Sequence, residues 1–201
     1  MYTDLEAELH DLFWNLEEVI SELPLLEEFH AKKLSLEIGC GSGRLLLPLL
    51  ESGHPIDGVE ISPDMTKLLA ESASKQGLKP EVHTCDILDF KPEKAYQRVS
   101  IPAFTCMLLD RQGFAQSLRN IHQFTSDDGL LYFTSFIPWA EMAGELPEGD
   151  WYEDHQAKLS DGSAALCKTK FSINRLRQTL SRRHQYTVTG SGKKKQHRST
   201  Q

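Results

Sequence analysis

Residues 37–44 read Glu-Ile-Gly-Cys-Gly-Ser-Gly-Arg. Three glycines at alternate positions, Gly39, Gly41 and Gly43, let a backbone approach a ligand where a Cβ would clash. Glu37 stands two residues before the first glycine. A carboxylate there repels a pyrophosphate and suits a cation, such as a ligand carrying an amino group and a sulfonium. The dinucleotide fingerprint G-x-G-x-x-G requires a third glycine where this chain has Arg44. A bare strand–helix connection is the plain alternative for such a turn.

Further carboxylates fall where the same chemistry needs them. Glu60 lies about twenty residues past the first glycine, placed to accept hydrogen bonds from ribose hydroxyls, with Ile61 beside it. Asp86 follows a third short strand, Glu81–Cys85, and suits the amino group of an adenine, and Ile87 would pack on the ring. Met65 would touch the base or belong to the core. Glu60 and Asp86 also have a plain reading as solvated strand-end carboxylates.

The elements that position these residues alternate. Leu34–Ile38 reads as a buried strand, followed by a helix from about Ser42 to Glu51 that Pro48 should kink. Pro55–Ile61 reads as a second strand, and Ser62-Pro63 caps the helix after it. Glu81–Cys85, Arg98–Ile101 and Gly129–Ile137 read as three more strands, with a helix over Arg111–Phe124 and a turn at Asp127-Asp128-Gly129. Five strand–helix alternations predict an α/β, doubly wound, mostly parallel sheet.

These residues resemble the class I S-adenosylmethionine-dependent methyltransferases, over about residues 34–137. Glu37-x-Gly39-x-Gly41-x-Gly43 is similar to the family's first motif. Glu60 in Gly-Val-Glu-Ile-Ser is similar to the second, Asp86 in Cys-Asp-Ile to the third, and Asp128-Gly129-Leu130-Leu131 to the turn before the fifth strand. The resemblance implies a Rossmann-like methyltransferase fold with S-adenosyl-L-methionine as cofactor. Glu37 and the glycine turn would cradle the methionine part, Glu60 the ribose and Asp86 the adenine amine. Residues around Pro102–Phe104 would line the methyl-transfer side, with Pro102 against the cofactor. The Asn/Asp-Pro-Pro-Tyr motif of amino-methylating DNA and protein enzymes is replaced by Ile101-Pro102-Ala103-Phe104, which points to a small-molecule acceptor.

The flanks are less regular. Residues 1–33 read as an amphipathic helical segment broken at Pro24, either packing or a lid, with Tyr2 and Trp14 the residues of interest. Pro138–Asp161 reads as an irregular stretch, from which Glu141, Tyr152 and His155 are candidates for steering or deprotonating an acceptor. No catalytic residue is assigned. Ala164–Ile173, Leu176–Thr189 and Lys193–Gln201 read as an antiparallel extension, so 138–201 is substrate-facing, and either the chain is truncated or an inserted antiparallel sheet stands where the family's closing strands belong. The basic residues Arg182, Arg183, Lys193–Lys195 and Arg198 read as a solvated strand face protecting an edge.

The 201 residues carry a net charge of −7, against non-specific nucleic-acid binding. Cys40, Cys85, Cys106 and Cys167 form no C-x-x-C pair, so no metal site or disulfide framework is expected. No apolar stretch reaches membrane-span length and no signal peptide is visible, so a reducing cytoplasm is the expected compartment. The expected partner is a small methyl acceptor, with neither membrane nor nucleic acid. Oligomeric state is not legible. The alternatives are a non-catalytic cofactor-fold binding protein, a nicotinamide-dependent oxidoreductase, which the glycine spacing and Glu37 oppose, and an RNA methyltransferase resting on the basic C-terminal strands.

Overall fold

A computed structural model of the chain describes residues 2–13, 16–190 and 193–200. Trp14 and the Ser191-Gly192 turn lie outside the described residues, as do the side chains of Leu16, Val19 and Ile20. The chain divides into two compact units, Asn15–Phe136, and Met1–Trp14 with Ile137–Gln201.

The first unit opens with α2 (Leu16–His30), which follows α1 (Asp4–Phe13) of the other unit. It continues through β1 (Ser35–Ile38), α3 (Leu46–Glu51), β2 (Ile56–Glu60), α4 (Pro63–Gln76) and β3 (Val82–Thr84). β4 (Tyr96–Ile101), a 3₁₀ turn over Thr105–Leu108, α5 (Arg111–Phe124) and β5 (Thr125–Phe133) complete it. The five strands are parallel in the order β3-β2-β1-β4-β5. Every residue of β1 and of β2 is buried, as expected of central parallel strands covered on both faces. One apolar cluster joins Leu36, Ile38, Val59, Val99 and Ile101 to Ile121 and Phe124 of α5. Another joins Leu26 of α2, Leu46 and Leu49 of α3, and Leu69 and Ala73 of α4 to Ile56.

Local chemistry explains most element ends. The Ser62 hydroxyl accepts the Met65 N–H at 3.2 Å, Pro63 occupies the first helical position, and Gly77 closes α4 at φ +70°. Elsewhere the boundaries differ from expectation. α3 begins at Leu46 rather than near Ser42, because residues 42–45 remain turns. Pro48 therefore sits in the first helical turn, where proline is tolerated, and the Leu47 and Leu49 N–H groups on either side of it donate to the Gly43 and Leu45 carbonyls at 2.9 and 3.1 Å. Pro24 lies inside α2 and does not end it. β5 starts at Thr125 and takes in Asp127-Asp128-Gly129. Its register jumps from Tyr96↔Thr125 to Arg98↔Leu130, so the expected turn survives as a wide bulge within the strand.

The second unit holds α1, a short helix α6 (Trp139–Met142), and a four-stranded antiparallel sheet in the order β6-β7-β8-β9. β7 (Ala164–Asn174), β8 (Thr179–Gly190) and β9 (Lys193–Thr200) match the expected extension. β6 (Tyr152–Lys158) corrects the reading of Pro138–Asp161 as wholly irregular: its strand is short and mostly polar, so alternation did not reveal it. Leu5, Leu9 and Phe13 of α1 bury against Ala165, Cys167 and Tyr186. Among the described residues no helix is long and apolar enough to cross a membrane. All four cysteines are free thiols.

Candidate cofactor site

The connection order of the parallel sheet reverses between β1 and β4, and open α/β sheets bind ligands outside the strand carboxyl ends at such a point. The carboxyl ends of β1, β2, β3 and β4 lead respectively into the glycine turn, Glu60, Asp86 and Pro102.

All three turn glycines have positive φ, +74° at Gly39, +54° at Gly41 and +88° at Gly43. Space is as restrictive as conformation. A Cβ on Gly39 would overlap the Thr105 side chain, and one on Gly41 would stand 3.3 Å from the Met65 Cε. The turn is fastened to β2 by the Gly39 and Cys40 N–H groups, which donate to the Val59 carbonyl at 2.7 and 3.2 Å. Glu60 completes the fastening. Its Oε2 accepts the Gly41 N–H at 2.9 Å and its Oε1 accepts the Ser62 N–H at 2.8 Å. Each oxygen keeps a second lone pair for a ligand. Glu60 therefore holds the turn in shape as well as presenting a carboxylate at the strand tip.

Glu37 is 2 % exposed, and its Oε2 has no hydrogen-bond partner among the described residues. Burial pushes its carboxyl well above the ordinary range, the charges of Glu22 and Glu60 push the same way, and Arg44 opposes them. Burial raises the Cys40 thiol too, so it is inert as a nucleophile. A buried, unsatisfied carboxylate costs stability unless something completes it. The group that would complete Glu37 is a donor, preferably a cation.

Asp86 is half-buried after β3, and its Oδ1 accepts the Leu88 N–H at 2.9 Å. The Asn120 amide on α5 donates to the Ile87 and Phe90 carbonyls at 2.5 and 3.1 Å and fixes that turn. Ile87 is buried in the core beside Phe90, and Met65, 1 % exposed, supports the glycine turn from within. Ile61 is the exposed apolar residue at the tip of β2, at 46 %. Pro102 is buried, and its carbonyl accepts the Thr105 N–H at 3.1 Å.

After Pro102 the backbone takes two consecutive left-handed residues, Ala103 at φ +51° and Phe104 at +60°. Non-glycine residues hold that conformation only where surroundings impose it. Here the Ala103 N–H donates to Glu22 Oε2 at 3.2 Å and the Phe104 N–H to Thr134 Oγ1 at 3.1 Å. The Tyr132 hydroxyl donates to Glu22 Oε1 at 2.7 Å, so α2, β5 and this turn meet at one carboxylate. Sequence reasoning missed Glu22, Thr105, Asn120, Tyr132 and Thr134. Glu22 is one acid among many on an acidic helix, and no spacing rule connects it to a turn 81 residues later.

The three residues expected to handle an acceptor, Glu141, Tyr152 and His155, belong to the other unit. Glu141 is buried and paired with Arg182. Tyr152 is pushed up to about 12 by burial first and then by Asp154 and Glu141. His155 stacks on Phe13 with ring centroids 5.8 Å apart and lies 3.7 Å from Asp154.

Residues 36–129 match the family described as a methyltransferase domain. Over that stretch the chain is similar to methyltransferase domains. A Geobacillus sp. (strain WCH70) protein with a provisional methyltransferase name is 27% identical over 104 residues, which is 51% of this chain. The chain spans 42% of that curated relative's length. Among solved structures, the CcbJ methyltransferase from Streptomyces caelestis superposes with a TM-score of 0.74 at 22% identity, over 99% of this chain and 79% of its own. The sugar N-methyltransferase KedS8 from Streptoalloteichus sp ATCC 53650 gives 0.73 at 19% identity, over 100% and 80%. At these identities the likeness establishes the fold.

Proposed function

We propose that this chain binds S-adenosyl-L-methionine through residues 34–137 and transfers its methyl group to a small-molecule acceptor. The observation that carries the reading is Glu37, a buried carboxylate with an unsatisfied oxygen beside a glycine turn that no Cβ can enter. The residues fit the group. Glu37 would face the ammonium of the methionine part, Gly39, Gly41 and Gly43 would pass beneath it, Glu60 would accept from the ribose hydroxyls, and Asp86 from the adenine amine. Ile61 and Ile87 would contact the base; Met65 would support the turn, and Pro102 would flank the methionine side.

When bound, the cofactor supplies an activated methyl group on a sulfonium. The protein's tasks are orientation and exclusion of water. Glu60 performs the first by holding the Gly41 N–H and the strand tip together. The Glu22–Tyr132–Ala103 contact performs it on the other side, by holding the left-handed turn after β4 in one shape. No strong acid or base is demanded, and catalytic roles for Glu141, Tyr152 and His155 are proposals of lower rank. The pairing of Glu141 with Arg182 argues against free proton transfer there.

A small amine acceptor is the first class to test, because KedS8 is named as a sugar N-methyltransferase. Four free thiols and the absence of a membrane helix among the described residues support a cytoplasmic location. The test is calorimetric titration with S-adenosylmethionine and S-adenosylhomocysteine, then mass-spectrometric scoring of amino sugars and other small amines for an added methyl group. Micromolar binding and one methylated amine are expected. A well-folded protein that binds neither cofactor form refutes the cofactor assignment. Binding without turnover on any acceptor favours a binding protein, and steeply salt-dependent RNA binding favours the nucleic-acid reading.

A further inference from the structure

Three strands of the antiparallel sheet bring together three different ligand types. Asp154 on β6, Cys167 on β7 and His184 on β8 place one ligand atom each within 4.8 Å of one another. Cys167 Sγ lies 3.9 Å from His184 Nδ1. The Thr169 hydroxyl sits among them, 2.6 Å from Asp154 Oδ2, 2.9 Å from His184 Nδ1 and 3.9 Å from the sulfur. The β6–β7 register shifts between Glu153 and His155, and Asp154 is the residue at that irregularity. Bulges of this kind re-aim a side chain, and here the re-aimed carboxylate reaches Thr169. Cys167, Thr169 and His184 are 2 %, 0 % and 8 % exposed, whereas the Asp154 side chain is 28 % exposed and leaves an approach from solvent.

We propose that Asp154, Cys167 and His184 form a zinc site. Thiolate, imidazole and carboxylate together match the borderline softness of that ion. Tetrahedral bonds of about 2.0–2.3 Å set the ligand atoms about 3.3–3.7 Å apart, so the sulfur and nitrogen need to close by only a few tenths of an ångström. Charge also balances. A carboxylate and a thiolate neutralise a divalent ion, which suits a position bordered by Leu5, Leu9, Phe13 and Tyr186. The ion bonds to Cys167 as its thiol proton leaves to solvent, and to His184 Nδ1 as the ring proton resides on Nε2. The Thr169 hydroxyl or a water fills the fourth position.

The test uses the full chain, stripped with a chelator and dialysed. Zinc titration with elemental analysis should return about one equivalent per chain, as a single site requires. Cobalt(II) in its place should give tetrahedral visible bands and a thiolate-to-metal charge-transfer band in the near ultraviolet. Cys167→Ser should abolish the charge-transfer band and His184→Gln should weaken zinc binding at least tenfold, while Cys85→Ser, outside the cluster, keeps the band. Wild-type protein that retains no zinc and shows no charge-transfer band overturns the proposal, and the cluster is then a hydrogen-bonded polar network. A band that persists in Cys167→Ser overturns it as well, by placing the metal on another cysteine. The wild-type readouts stand even if a variant fails to fold.

Discussion

Glu60→Gln separates the two tasks assigned to Glu60. The change keeps size and shape but replaces one carboxylate oxygen with an NH₂ group, a donor that accepts nothing. In the native protein both oxygens accept from backbone, Gly41 at 2.9 Å and Ser62 at 2.8 Å. Whichever way the amide turns, one N–H meets another N–H. A hydrogen bond to a charged group contributes about 1.5–3 kcal/mol, so ligand-free stability should fall by about that amount. In a chain of this size that lowers Tm by roughly 3–10 °C. Binding suffers further, because the ribose loses a charged acceptor and the glycine turn loses its tie. One to two weakened charge-assisted contacts cost about 2–5 kcal/mol, or roughly 30- to 4,000-fold in affinity for S-adenosylhomocysteine. Calorimetry below the melting range of the variant measures this, with thermal denaturation of the ligand-free protein alongside. Affinity within threefold of wild type would refute the placement of the ribose at Glu60. A Tm unchanged to within a degree would refute the claim that this carboxylate fastens the turn.

Three further outcomes follow from the same geometry. Glu37 has a raised folded-state carboxyl, mainly from burial, so the stability it contributes is full below the unfolded carboxylate range and is lost as pH rises through the raised value. Glu37→Gln should therefore melt higher than wild type at neutral pH without ligand, converge with it near about pH 4, and bind S-adenosylmethionine at least about tenfold more weakly; a lower neutral-pH Tm would refute the burial argument. Gly43→Ala forces a Cβ to within 2.9 Å of the Leu47 and Leu69 Cγ atoms at φ +88°, whereas Gly53 at φ +81° has nothing within 4 Å of its added Cβ. Denaturant unfolding should show a loss of about 2–5 kcal/mol for Gly43→Ala and about 1–2 kcal/mol for Gly53→Ala, and equal losses would mean that packing beneath the turn is unimportant. The Tyr96 hydroxyl, fully buried, donates to Asp57 at 2.8 Å, and Lys94 also holds that carboxylate at 2.6 Å. Tyr96→Phe should cost about 1–2 kcal/mol by the same assay, since Lys94 retains part of the satisfaction of Asp57.

What the sequence determined by itself is local. Runs such as Ser35–Ile38 and Ile56–Glu60, short and bounded by turn residues, are recognised as strands. Ser62-Pro63 and Gly77 mark both ends of α4 through chemistry contained within a few residues. Glycine spacing, with carboxylates at strand ends, pointed to the site because a sheet of alternating topology must gather its strand tips on one edge. Where competing local signals met, sequence was weaker: Pro48 reads as a kink until the helix start is known, and the Asp127-Asp128-Gly129 turn is absorbed into β5 by its neighbours' hydrogen bonds. β6 is polar at most positions and is a strand because β7 offers it a ladder. Tertiary structure alone decided that Glu22 reaches Ala103 and Tyr132, that Asn120 holds the turn after Asp86, and that Glu37 is left with an unsatisfied oxygen. It alone brought Asp154, Cys167 and His184 within one ligand sphere, although they lie 13 and 17 residues apart in the chain. Contacts between distant residues are set by register and packing, and neither leaves a fixed spacing for sequence to carry.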